Sequence, residues 1–139
     1  MLREITPRNI LYNAENGRGI KLGPGGTAGG AVNVQVRFNT IYNSSQNVSL
    51  SRDTTGVVLL RNILVKARES NITAFRLSGP DNVARQNIGD AAPAFLVRSG
   101  RPGTLIDGGG NLRSRAPQFD SIGCSGFHTT RFKSYGARG

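Results

Sequence analysis

The sequence predicts an all-β fold, a single-stranded right-handed parallel β-helix of about five short coils. Three observations point there. An asparagine with an aliphatic residue one or two places after it returns every 23 to 30 residues along the chain. Between successive asparagines lie short segments in which apolar and polar residues alternate, a pattern of strands rather than helices. Nineteen glycines and six prolines among 139 residues, with many asparagines beside them, supply the turns that so many short strands need.

The repeat opens at Asn9-Ile10-Leu11-Tyr12-Asn13 and returns as Asn39-Thr40-Ile41-Tyr42-Asn43 and Asn62-Ile63-Leu64-Val65. It then fades through Asn87-Ile88 to Asn111-Leu112, so the intervals are 30, 23, 25 and 24 residues. The first is long because it holds the loop insertion Gly23-Pro24-Gly25-Gly26-Thr27-Ala28-Gly29-Gly30, which lacks the Gly-Lys-Ser/Thr ending of a phosphate loop. A second apolar segment follows each of the first four asparagines: Gly19-Ile20-Lys21-Leu22, Asn47-Val48-Ser49-Leu50, Ala74-Phe75-Arg76-Leu77 and Ala94-Phe95-Leu96-Val97. A third precedes the next asparagine, as in Val32-Asn33-Val34-Gln35-Val36-Arg37-Phe38 and Val57-Val58-Leu59-Leu60-Arg61.

None of these strands is stable alone. Stacked, each pairs with its copy in the next coil about 4.8 Å away, and the inward residues form one continuous core. Val36, Ile41, Val48, Leu50, Leu59, Leu64, Phe75, Leu77 and Phe95 are expected there. Asparagine tolerates unusual backbone angles, and stacked amides bond from coil to coil. Asn9, Asn39, Asn62, Asn87 and Asn111 are therefore expected to form a ladder at one corner, not a ligand site.

The segments Val34-Gln35-Val36-Arg37-Phe38-Asn39-Thr40-Ile41-Tyr42-Asn43 and Val58-Leu59-Leu60-Arg61-Asn62-Ile63-Leu64-Val65 resemble the right-handed parallel β-helix, or pectate-lyase-like, superfamily. Ala116-Pro117-Gln118-Phe119-Asp120 followed by Gly126-Phe127-His128-Thr129 is similar to the closing segment of many bacterial members. The resemblance spans roughly residues 8 to 130 and specifies fold better than activity. It implies carbohydrate handling and, in many members, secretion. Its lyases use clustered acids that hold calcium with an Arg or Lys base, and its hydrolases use several close carboxylates. Residues 1–139 read as one domain, with 1–7 as an N-terminal cap and 116–139 as a C-terminal capping segment in which Phe119, Phe127 and Phe132 are apolar plugs.

Charge points to partners. Lys and Arg number 18 against 8 acids, a formal net of +10, and such a surface concentrates polyanions around it. Nucleic acid is one candidate, but the aromatic platforms of a single-strand binder are missing. A single cysteine, Cys124, leaves no intrachain disulfide or Cys-based zinc site. No stretch has the length of a transmembrane helix and the N-terminus lacks a signal peptide's apolar core, so no membrane partner is expected and localisation stays open.

The eight carboxylates, Glu4, Glu15, Asp53, Glu69, Asp81, Asp90, Asp107 and Asp120, fall about one per coil. Calcium needs several converging oxygens and glycoside hydrolysis needs a close carboxyl pair, so no catalytic residue, metal site or cofactor is assigned. Asp81 and Asp107 are the pair that stacking could unite, although Asp53, Asp81 and Asp107 read better as turn residues. His128 reads as a structural strand residue, and a Cys124–His128 nucleophile pair is a weak alternative. The basic residues are more suggestive. Arg8, Arg37, Arg61 and Arg85 each stand one or two places before a repeat asparagine, and Lys21, Arg76 and Arg98 lie in the second strands. Stacking could align them in two files, and the planar guanidinium suits carboxylate, sulfate and phosphate.

The expectation is a non-enzymatic module that binds an acidic polysaccharide or other polyanion through these seven residues. The alternatives are a structural module associating through open coil ends, and a lyase or hydrolase. Unpaired edges at the first coil further predict homo-oligomerisation, as a symmetric dimer around Ile10 and Ile20.

Overall fold

A computed structural model of the chain describes residues 3–5, 9–14, 16–24, 29–90, 93–101, 104–113, 119–121 and 128–129. The first coil consists of β1 (Arg3–Ile5), β2 (Ile10–Tyr12) and β3 (Arg18–Leu22), the second of β4 (Val34–Arg37), β5 (Thr40–Tyr42) and β6 (Gln46–Ser51). The third is β7 (Val58–Leu60), β8 (Ile63–Val65) and β9 (Ser70–Leu77), the fourth β10 (Asn82–Arg85), β11 (Ile88–Gly89) and β12 (Leu96–Gly100). A fifth opens with β13 (Leu105–Asp107).

Like strands stack in parallel: β1-β4-β7-β10-β13 in a first sheet, β2-β5-β8-β11 in a second and β3-β6-β9-β12 in a third. The molecule is thus a parallel β-solenoid, about three turns from the first rung to the fourth rather than five full coils. Arg3–Ile5, expected within a cap, supplies the first rung of the first sheet by pairing with residues 34–36. Beyond the coils, β14 (Phe119–Ser121) pairs antiparallel with β15 (His128–Thr129), so His128 does lie on a strand. Cys124, Phe127 and Phe132 lie outside the described residues.

The corners explain why the repeat is written as it is. Each demands a left-handed residue, which costs an L side chain roughly 1–2 kcal/mol unless it is Gly, Asn or Asp. Before the first sheet this residue is Asn33, Gly56 or Asp81, and after the second it is Asn13, Asn43 or Lys66. Immediately before the ladder asparagines it is Phe38, Arg61, Gln86 and Gly110.

The ladder itself forms over five coils. Asn9 Nδ2 donates to Asn39 Oδ1 (3.1 Å), Asn39 to Asn62 (3.3 Å), Asn62 to Asn87 (2.9 Å) and Asn87 to Asn111 (3.0 Å). Each upper asparagine also donates its backbone N–H to the same oxygen, at 2.9–3.1 Å. A second ladder went unread in the sequence: Asn47 Nδ2 donates to Asn71 Oδ1 (2.7 Å), and Asn71 Nδ2 to Asp90 Oδ1 (2.8 Å).

One core runs through the coils. Val36, Ile41, Val48, Leu50, Leu59, Leu64, Leu77 and Phe95 are all buried in it, as expected. Phe75 is not, and is 49% exposed. Alternation over Ala74-Phe75-Arg76-Leu77 put Phe75 and Leu77 on one face, but Arg76 takes a left-handed conformation (φ 47°) and breaks the parity. Ala74, paired with Leu50, and Leu77 point inward, while Phe75, paired with Ser51, points to solvent. On the outer side of the second sheet Ile63, Val65 and Ile88 form a separate small cluster, with Tyr42 packed against it.

Candidate ligand-binding groove

The outward columns of the third sheet differ from those of the first. Register places Lys21, Ser49, Thr73 and Val97 side by side in successive coils, and Ser51 beside Phe75. Ser49 and Thr73 are short and almost fully covered, so they recess the floor between the taller Lys21 and Phe75. The result is a groove of about 280 Å³ lined by Arg18, Lys21, Pro24, Ser49, Ser51, Arg52 and Phe75. Three cations, two hydroxyl groups and one exposed ring meet there, and the lining contains no carboxylate.

Backbone geometry fixes one cation in the groove and one beside it. At the end of the third-sheet strands the chain turns left-handed at Gly23 (φ 98°) in the first coil, level with Ser51, and at Gly100 (φ 121°) in the fourth, paired with Leu77. In the two coils between, the left-handed residues are Arg52 (φ 52°) and Arg76 (φ 47°), each one place after the Ser51–Phe75 pair. Arginine there is strained where glycine is not. Arg52 lines the groove, and the Arg76 guanidinium stands 5.2 Å from the centroid of the Phe75 ring. A cation over an aromatic face at this distance is attracted by the ring quadrupole.

A chain of side chains orients Arg18. Its Nε donates to Gln46 Oε1 (3.0 Å), and Gln46 Nε2 donates to Glu69 Oε2 (2.6 Å). Ser45 Oγ donates to Glu69 Oε1 (2.5 Å). The Ser45 hydroxyl first, then the Gln46 amide, and the positive charge of Arg18 hold the Glu69 carboxyl below its ordinary value. With Nε committed to Gln46, the terminal nitrogens of Arg18 keep a fork suited to a planar anion.

The seven basic residues singled out in the sequence are dispersed. Arg8 lies outside the described residues. Arg37 and Arg85 share a column on the outer side of the first sheet, but Leu60 stands between them. Arg61 is displaced one residue, at the left-handed corner, where its Nε donates to Gln86 Oε1 (3.0 Å). Of the other three, Lys21 lines the groove and Arg76 flanks it, while Arg98 pairs with Ala74, in the column of Leu22 and Leu50. Arg18 and Arg52 went unnoticed. Arg52 was detectable in principle, since it and Arg76 share one repeat position directly after the paired Ser51 and Phe75.

The carboxylates serve corners. Asp53 Oδ1 accepts from Ser78 Oγ (2.7 Å) and Asp90 Oδ2 from the Lys66 N–H (2.7 Å). Asp107 accepts from the Gly109 N–H (3.1 Å) and Asn111 Nδ2 (2.7 Å), and pairs with Arg113. Asp107 registers with Ala84 while Asp81 is a left-handed turn residue before Asn82, so stacking does not unite them. Among the described residues no three of His, Cys, Asp or Glu come together as a metal site, and no helix is long and apolar enough to cross a membrane. Neither a protein-family model, nor a curated protein, nor a solved structure matches the chain, and the groove is read from its own chemistry.

Proposed function

We propose that the chain is a non-enzymatic β-helix module that binds an acidic polymer, above all an acidic polysaccharide, through the groove of the third sheet. The observation that carries this reading is the joint presence of Arg18, Lys21 and Arg52, the Ser51 hydroxyl and the exposed face of Phe75 in one groove. Forked cations suit the carboxylate or sulfate of such a polymer, the Ser51 oxygen, whose proton goes to Pro24 O (3.1 Å), suits a donating sugar hydroxyl, and a flat apolar ring suits the C–H face of a sugar. The resemblance of the repeats to pectate-lyase-like β-helices favours carbohydrate over nucleic acid.

Calorimetric titration with oligogalacturonate, heparin fragments, neutral dextran and duplex DNA tests it. Acidic saccharides should bind, more weakly as salt rises from about 50 to 200 mM, and dextran should not. Lys21→Ala with Arg52→Gly should weaken every anion, whereas Phe75→Ala should weaken saccharides alone. Equal loss of DNA and saccharide in Phe75→Ala overturns the carbohydrate assignment.

A second reading, assembly through the first coil, is favoured by one observation. Among the described strands β1, β2 and β3 each have a hydrogen-bonded neighbour on one side only. Such edges are templates for association. A lyase or hydrolase role ranks below both, because Asp53, Asp90 and Asp107 bond at corners and Glu69 accepts from Ser45 and Gln46, so no two of them converge on one site.

A further inference from the structure

Arg52 and Arg76 are rooted side by side. Ser51 pairs with Phe75, and one place further on the Arg52 N–H donates to Phe75 O (3.3 Å), so the two arginines hold one repeat position on adjacent rungs. Adjacent rungs are about 4.8 Å apart. Two guanidinium groups rooted so close repel unless negative charge lies between them. Among the described residues no carboxylate pairs with either arginine. Asp53, next in the chain, accepts from Ser78 Oγ instead (2.7 Å). Arg52 lines the groove together with Phe75, and the Arg76 guanidinium stands over the ring of Phe75.

We propose, on the basis of the groove reading above, that Arg52 and Arg76 clamp one tetrahedral ester group of an acidic saccharide, a sulfate or phosphate monoester. A carboxylate offers two oxygens in one plane, and a single arginine fork occupies both. A phosphodiester likewise has only two unbridged oxygens, which sets nucleic acid apart. A monoester presents three acceptor oxygens directed away from one another. Two forks on neighbouring rungs can therefore take one such group from two sides, and its charge lies between cations that otherwise repel. Arg18 and Lys21, on the first coil of the same groove, remain for a further anionic group of the same polymer. The polymer then crosses the rungs along the solenoid axis rather than following one strand.

Dextrans carrying sulfate, phosphate monoester or carboxymethyl groups at equal substitution test this, because only the anionic group differs among them. In calorimetric titrations the sulfated or the phosphorylated polymer should bind at least about tenfold more tightly than the carboxymethylated one, and whichever leads identifies the ester. Arg52→Gly and Arg76→Gly should each remove that preference. The double variant should lose little more than either, because the clamp needs both forks. Glycine suits a left-handed corner, so melting temperatures should not fall. Arg52→Lys with Arg76→Lys keeps the charge but removes the forks, and should bind all three polymers alike. Equal affinity of the parent for the three polymers overturns the clamp and leaves the groove reading standing. Losses in the single variants that multiply in the double one do the same, since the arginines would then grip separate groups. Failure of every polymer to bind overturns the groove reading, and the clamp with it.

Discussion

Asn62 engages the coils on both sides of it. Its Oδ1 accepts from the backbone and the side chain of Asn39, and its Nδ2 donates to Val36 O (2.9 Å) and Asn87 Oδ1. Leucine would fill similar space but strand the Asn39 N–H and the Val36 carbonyl in a buried corner. We expect Asn62→Leu to cost about 3 kcal/mol, read as a lowered urea midpoint, because each orphaned buried group costs about 1–3 kcal/mol. An unchanged midpoint would remove the ladder from the account of stability. Arg52 makes the opposite case. Glycine relieves its left-handed strain, so Arg52→Gly should match or exceed the parent in thermal stability, by up to about 1 kcal/mol, while weakening anion binding. Lower stability with unchanged binding would assign Arg52 to the fold alone. The ladder was legible because a buried asparagine needs partners for its amide, and one that returns at every coil finds them in its own copies. The groove was not, because one left-handed residue, Arg76, reversed the face of Phe75, and no alternation rule foresees that.

Strands reveal how pairing partners were recognised and missed. Asn39-Thr40-Ile41 and Asn62-Ile63-Leu64 announce β5 and β8 by likeness, whereas β10, Asn82-Val83-Ala84-Arg85, carries no large apolar residue beyond Val83 and emerges only from register. Parallel register also builds the contact between β3, β6 and β9 that holds Arg18, Gln46 and Glu69 in line. Those bonds favour the ionised form of Glu69, so its folded-state pKa lies below the unfolded value of 4.5. The stabilisation is therefore complete above that value and is lost as pH falls through the folded one. In urea titrations the advantage of the parent over Glu69→Gln should shrink from about pH 7 to about pH 3, and only modestly because Glu69 is exposed. A gap that widens on acidification would contradict the assigned direction.

At the scale of the whole molecule, the N-terminal rung decides how the solenoid meets other copies. Ile20 is buried but Ile10 only half so, and the outer edge of their rung is bonded to no described strand. Sedimentation at micromolar concentration is expected to give a dimer, twice 14.8 kDa, and replacing Ile10 with Lys should return the monomer. A clean monomer in the parent protein would exclude assembly through this coil and leave binding in the groove as the principal reading. The ladder carries a further consequence. Its donors all face one way, and each rung presents to the next the same groups it receives from the one before. Any coil can therefore follow any other at this corner, so the chain can be lengthened or shortened by whole units of 23 to 25 residues without a seam, whereas a change of a few residues within a strand would put every later side chain out of step.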